Sequence, residues 1–391
     1  MAIRPEILTW ARETAGLSME DAARAVGLTG KSALDRLAKL ENGEKEPEGP
    51  LLEKMAKAYR RPLVTFYLRH PPAKGDRGQD FRTLPGEKRS NPDLDALIRD
   101  IKARQEVVHS ILGDEEAPAV DFVASATMDI EVSLMARRIA ERIGFRLEEF
   151  RRGRTPDEAF DYLRRKIEET GVFVLLIGNL GSHHTNIPVD IFRGFAVADP
   201  LAPMIVINDQ DSRAAWSFTA LHEVVHLWLG TTGISGADAT ATIEQYCNDV
   251  GGEVLLPSHD LNVFSGALSR DRAIELIDTY APQWRISRQM IAYKLFRQGK
   301  IGHRTWTEVR QVFHEKFLAL KAQESAKQKD SDGGANYYVV KRHRVGPALL
   351  GLMRRALNDG HTTYTQAGRV LGVKPRNVES LLSPATNRGQ R

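Results

Sequence analysis

The chain has one cysteine in 391 residues. A single thiol cannot close an intramolecular disulfide, so a secreted disulfide scaffold and a cysteine-rich zinc finger are both excluded. Long apolar runs are also missing. The longest, Val172–Ile177 (VFVLLI), is six residues, a buried strand's length and far below the roughly 20 needed to span a bilayer. The opening MAIRPEILTWARE lacks an apolar stretch followed by a small-residue cleavage site, so no secretory signal is expected and the chain reads as cytoplasmic, with no membrane partner. No repeat at solenoid periods is present. A strong net charge is absent too, but the total of +4 hides an uneven distribution. Residues 331–391 carry ten Lys and Arg against three Asp and Glu, and residues 1–75 carry 13 against 10, which leaves the middle acidic. A basic tail and a slightly basic head point to a polyanion partner at one end or both, or to a solvated tail that keeps the chain soluble.

What is present is an ordinary globular composition, 42% apolar and 27% charged, long enough for several domains. Short helical patterns fill residues 4–70, with Ile7, Leu8 and Ala11 on one face and Ser18 as an N-cap ahead of Glu20 and Asp21. A third helix carries Leu34, Leu37 and Leu40. The Pro- and Gly-rich stretch that begins at Pro71 reads as a linker, and 93–112 as a helix. After residue 128, two helices precede a buried strand at 172–177, and 191–197 and 203–208 read as two more strands. Helical patterns then run from 214 to about 320. The polar stretch 323–336 reads as a flexible linker, followed by a strand at 337–340 and two or three short helices. The expected fold is α+β and mostly helical, in five segments: a helical head at 1–72, a linker and connecting helix at 73–127, a mixed middle at 128–322, the linker 323–336 and a basic tail at 337–391.

The sharpest motif is His222-Glu223-Val224-Val225-His226. On a helix, histidines at i and i+4 share a face, so both imidazoles can reach one tetrahedral Zn²⁺. Glu223 projects beside them, placed to take a proton from a metal-bound water and pass it to a leaving amine. Two histidines in so apolar a helix would be costly without a partner. A third ligand is needed, and Glu244, 18 residues after His226 on the next helical pattern, is the best candidate; Asp238, Asp249, Glu253 and His259 are alternatives. Asn248 is placed to hydrogen-bond a ligating histidine. Cys247 is a soft zinc donor in principle, but a lone cysteine in an apolar stretch reads as a core residue. Gly251 and Gly252 loosen that helix by about 1 kcal/mol each, so an early end to it is expected. A His₂Glu site accepts Zn²⁺ or Mn²⁺.

The run RGFAVADPLAPMIVIN…SFTALHEVVHL…IEQYCNDVGGEVLLP (Arg193–Pro257) resembles the ImmA/IrrE family of metallo-endopeptidases, in which a strand ending in Asn precedes the HExxH helix and a Glu-bearing helix follows. The likeness extends over about Met128–Ile301. It implies a zincin-like domain, a small sheet plus the HExxH helix, with His222, His226 and a gluzincin-like Glu244 as ligands and Glu223 as base. It also implies a regulatory zinc endopeptidase whose substrate is a partner protein, a helix-turn-helix repressor, in a stress or mobile-element response.

The head, Leu8–Leu63, resembles a helix-turn-helix domain of the XRE/Cro-repressor type, with the helix beginning near Lys31 or Ser32 entering the major groove. Lys31, Ser32 and Arg36 are its candidate DNA contacts, opposed by Asp35 on the same face. In the tail, YTQAGRVLGVKPRNVESLL (Tyr364–Leu382) has a second helix–Gly-turn–helix rhythm, with Lys374, Arg376 and Asn377 as candidate contacts and Lys341, Arg342 and Arg344 adding charge. Dimerisation is compatible with either unit. Competing readings are a DNA-binding regulator whose zincin-like domain is a non-proteolytic sensor, and an antitoxin-type regulator.

Overall fold

The computed structural model describes residues 3–72, 91–182, 185–231, 237–330 and 336–383, with backbone alone for 237–241 and 324–330. The linker expected at 73–90, Gly233 and Gly236, residues 331–335 and the end of the tail from 384 lie outside the described residues. The chain divides into two units, one of Met1–Arg77 with Glu87–Ile101 and one of Gly78–Gly86 with Lys102–Arg391. No helix among the described residues is long and apolar enough to cross a membrane.

In the first unit, α1 (Pro5–Thr14), α2 (Met19–Ala25), α3 (Ala33–Glu41) and α4 (Gly49–Ala58) pack around Ile7, Leu8, Ala22, Leu37, Leu52 and Met55. α2 starts at its expected cap, where Ser18 Oγ accepts the Asp21 N–H at 3.0 Å. Gly27 and Gly30 turn the chain into α3 at φ of +81° and +89°, a region that costs little only for glycine. Arg12 on α1 clasps Glu41 at the end of α3 through two bonds of 2.8 and 3.0 Å. Leu34, expected on the apolar face, is 42% exposed; the stripe that reaches the core is Leu37 and Leu40. Helix α5 (Pro92–Asp114) begins in this unit and ends in the other.

In the second unit, α6 (Val132–Arg142), α7 (Leu147–Arg151) and α8 (Pro156–Glu168) precede a three-stranded sheet of β1 (Phe173–Leu176), β2 (Gly194–Val197) and β3 (Met204–Ile207) in the order β1-β3-β2. β1 runs parallel to β3 and β2 antiparallel to it, with Gly194 opposite Ile207. Both β1 and β3 are buried along their length, so their apolar residues run without alternation. Asn208, fully buried at the end of β3, donates through its amide to the carbonyls of Ile187 and Phe192, both at 3.0 Å, and ties the preceding loop to the sheet. Then come α9 (Arg213–Leu229), α10 (Ala237–Leu255), α11 (Arg270–Trp284), α12 (Arg288–Arg297) and α13 (His303–Asp330). The last continues as helix into the stretch read as a linker from 323.

The C-terminal part is all helical: α14 (Tyr337–Val345), α15 (Pro347–Asn358), α16 (Tyr364–Leu371) and α17 (Val378–Leu382). The strand expected at 337–340 is the first turn of α14. The β-branched and aromatic residues there look strand-like, but Asn336 caps a helix by accepting the Tyr338 N–H at 2.9 Å, and α14 packs against β1. A buried ion pair anchors this packing. Arg164 Nε lies 3.1 Å from Glu168 Oε1, and the guanidinium also donates to the carbonyls of Val174, His343 and Arg344. Glu168 in turn accepts the Ala348 N–H at 3.1 Å. Gly346, at φ +89°, is where a side chain would strike Arg164. Burial pushes the Glu168 carboxyl above its ordinary range despite Arg164.

Breaking such a pair from one side strands the other charge. Arg164→Met should therefore lower stability by about 3–5 kcal/mol in urea unfolding. Arg164→Met combined with Glu168→Leu should recover a large part of that loss; equal midpoints for the single and double variants would contradict this account.

Candidate metal centre

α9 is apolar on nearly every side, with Trp216, Ala220, Leu221, Val224, Val225 and Leu227 in the main core. Its last turn ends at Gly230, φ +60°, and the carbonyls of Leu227 and Trp228 accept the N–H groups of Ala124 and Ala126 at 2.9 and 3.0 Å. Into this helix are set three buried polar side chains: His222, Glu223 and His226. The two imidazoles stack one turn apart, their centroids 4.7 Å from each other and their Nε2 atoms 2.9 Å apart.

The third donor comes from α10. Glu244 Oε2 lies 3.3 Å from His222 Nε2, and Oε1 lies 3.3 Å from His226 Nε2. A tetrahedral ion with bonds of about 2.0–2.1 Å has ligand atoms about 3.3 Å apart. The two His–Glu separations already match that figure, and the His–His separation needs to open by a few tenths of an ångström. Two imidazoles and a carboxylate so placed suit Zn²⁺ chemically. The same helix brings Cys247, whose sulfur lies within 4.8 Å of a ring nitrogen of each histidine. Burial pushes its thiol above the ordinary value, with His226 pulling the other way.

Gly251 explains how α10 comes so near. A Cβ there would sit 3.2 Å from the His222 backbone nitrogen, tighter than most packed contacts, so the glycine lets the two helices close at the ligand itself. Gly252 faces the Lys294 stem and Phe218. The expectation that these glycines shorten the helix is corrected: α10 continues through both to Leu255. On the other flank, β2 starts at Gly194, where a Cβ would meet Thr219 Cγ2 at 2.6 Å and Glu223 Oε1 at 2.9 Å. The edge strand thus passes directly by the Glu223 carboxylate.

Residues 183–296 match the model of the M78 peptidase family, described as an IrrE N-terminal-like domain. The chain carries an IrrE-like peptidase domain. Residues 8–66 match a helix-turn-helix model. Comparisons with curated proteins and with solved structures give no match. The matched peptidase family implies a bound metal ion, in keeping with the donors that α9 and α10 of the IrrE-like domain converge.

Other candidates of the IrrE-like domain sit elsewhere. Asp249 and Glu253 are ion-paired with Arg297 and Lys294 and fasten α10 to α12, with Asp249 at 2.6 Å from Arg297. His259 is an exposed side chain beside Asp260, and the side chain of Asp238 lies outside the described residues. Tyr246 donates to the Ile130 carbonyl at 2.7 Å, its phenol pushed up to about 12 by burial, and Tyr293 donates to Asp249 at 2.8 Å. Asn248 stands half-buried one turn beyond Glu244. A contact that sequence reading did not identify is Thr231, whose Oγ1 lies 3.0 Å from His226 Nδ1; its only trace in the sequence is a hydroxyl residue five positions after the second histidine. Holding Nδ1 in this way leaves Nε2 to face the metal.

In the helix-turn-helix unit, Lys31, Ser32 and Arg36 are all exposed, and Ser32 precedes α3 without capping it through its side chain. The opposing Asp35 is paired with Lys39 at 3.0 Å. In the tail, Lys374 and Arg376 are exposed and Asn377 is half-buried, on a 3-10 turn ahead of the five-residue α17. Arg342, counted among the charges flanking that turn, instead donates to the carbonyls of Ser380, Leu381 and Ser383, and Arg344 pairs with Asp209 at 2.7 Å.

Glu244→Gln should weaken Zn²⁺ binding by tenfold or more, measured by competition with a chromophoric chelator, because a neutral amide replaces an anionic donor. Glu223→Gln should leave that affinity within a few-fold of wild type. Equal losses in both would make Glu223 a ligand and refute the division of labour drawn above.

Proposed function

We propose that the chain is a regulatory zinc-dependent endopeptidase that cleaves a partner protein, a helix-turn-helix repressor, during a stress or mobile-element response. The observation that carries this reading is the convergence of His222, His226 and Glu244 with the Glu223 carboxylate buried beside them. His222 and His226 hold the ion through their Nε2 atoms and Glu244 through its carboxylate. A bound Zn²⁺ supplies Lewis acidity and brings a water towards neutral pKa. Glu223 Oε1 takes a proton from that water and delivers it to the departing amine nitrogen. Exclusion of bulk water by Val224, Val225 and Leu221 makes the carboxylate's charge effective at short range.

β2 supports a polypeptide substrate. It is the edge strand of the sheet, and Gly194 places its backbone beside Glu223. An extended peptide adding to that edge would be held by main-chain hydrogen bonds and drawn past the catalytic carboxylate, as in strand-addition recognition. For the same reading, the head binds DNA through Lys31, Ser32 and Arg36, and Lys374, Arg376 and Asn377 offer a smaller basic surface in the tail. The recognition role suits a regulator that acts near the genes controlled by its substrate.

The peptidase reading is tested in the native host by comparing new protein N-termini between wild type and Glu223→Ala, using mass spectrometry. One or a few cuts present only with wild type are expected and would name the substrate. Identical N-termini under basal and DNA-damage conditions would refute proteolysis and favour the sensor reading.

DNA binding is tested on duplex DNA at several salt concentrations. Lys31→Ala with Arg36→Ala should weaken affinity and reduce the log–log salt slope by about 2, one for each phosphate that is no longer neutralised. An unchanged slope would remove these residues from the interface.

A further inference from the structure

α10 presents more than one donor to α9. Glu244 and Cys247 stand three residues apart, one above the other on the same helix face, and Gly251 a turn later marks that face by touching the His222 backbone. Cys247 is fully buried and its thiol is in hydrogen-bond contact with the His226 ring. Its sulfur and one ring nitrogen of each histidine all lie within 4.8 Å of one another, the same two histidines that Glu244 bridges at 3.3 Å.

This extends the metal-centre reading given above and rests on it: we propose that Cys247 is a fourth protein ligand, completing a His222–His226–Glu244–Cys247 set that selects Zn²⁺ over Mn²⁺. Three arguments support the assignment. The first is position. A core cysteine packs among carbon atoms, whereas this one faces two imidazoles. The second is reach. A thiolate ligand at about 2.3 Å from zinc lies about 3.5 Å from a ligating nitrogen, and rotation of the short Cys247 side chain between staggered wells covers any excess up to the observed limit. The third is chemistry. A hard carboxylate with two imidazoles accepts either ion, but a soft thiolate favours zinc and disfavours manganese. Ligation forms a sulfur–metal bond, releases the thiol proton to solvent and transfers no electron.

The test exploits the sequence, because Cys247 is the chain's single cysteine. The full-length protein, freed of metal and given one equivalent of Co²⁺ in thiol-free buffer, should show a thiolate-to-cobalt charge-transfer band in the near ultraviolet together with visible ligand-field bands. That band can arise only from Cys247, so it decides the matter even if a variant fails to fold. Cys247→Ser and Cys247→Ala should lose it while still binding cobalt. Their Zn²⁺ affinity should fall at least about tenfold, with Mn²⁺ affinity changed far less. Ligand-field bands without the charge-transfer band, and equal Zn²⁺ affinities in wild type and variants, would overturn the proposal and leave the His₂Glu centre standing. A wild-type chain that takes up neither cobalt nor zinc would overturn both.

Discussion

The close approach of α9 and α10 is the constraint on which the site depends. Helix axes normally keep 8–10 Å apart, a distance set by the side chains between them. Gly251 removes the side chain at the point where α10 meets the backbone of His222. Only then can Glu244, less than two turns earlier, lay its carboxylate across both Nε2 atoms, and Cys247 face the same rings. The opposite flank of α10 is held by Asp249 and Glu253 through Arg297 and Lys294, so the helix is pressed between two partners rather than resting on one.

A second glycine does for the sheet what Gly251 does for the helices. Gly194 opens β2 at the place where any side chain would collide with Thr219 and Glu223. Asn208, at the facing end of β3, uses its amide to bind the carbonyls of Ile187 and Phe192 and so holds the loop that leads into β2. A buried polar group with its bonds made is a rigid fixture. The Glu223 carboxylate therefore sits between a fixed strand edge and a helix that the core surrounds, with little freedom to drift from the two histidines.

Charge counting promised more free basic surface than the tail has. Arg342 closes the carbonyl end of α17, Arg354 donates to Leu382, and Arg344 is taken by Asp209. Arginine carries several donors in a fixed fork, and in a small helical unit it is an efficient way to satisfy the carbonyls that short helices leave open. The buried Arg164–Glu168 pair works similarly, joining α8, β1 and the start of α15. Part of the tail's positive charge is thus structural, and Lys374 and Arg376 are what remains exposed on its turn.

The sequence alone determined the features that depend on local spacing. Histidines at i and i+4, the Ser18 cap, the apolar strands and the helical head were legible because helix and strand periods are local properties. Glu244 was legible as well, since few acids follow His226 at a workable distance. Where local signals conflicted, tertiary packing decided. Tyr337–Val340 looked like a strand until Asn336 and the surface of β1 made it helical, and Leu34 left the apolar face because α3 begins where the turn of Gly27 and Gly30 lets it. Most telling are the glycines and the cysteine. In the sequence Gly251 is a helix weakener and Cys247 a core residue; in the folded chain one admits a neighbouring backbone and the other faces two imidazoles. Propensity measures what a residue costs its own element, and only the assembled structure states what lies opposite it.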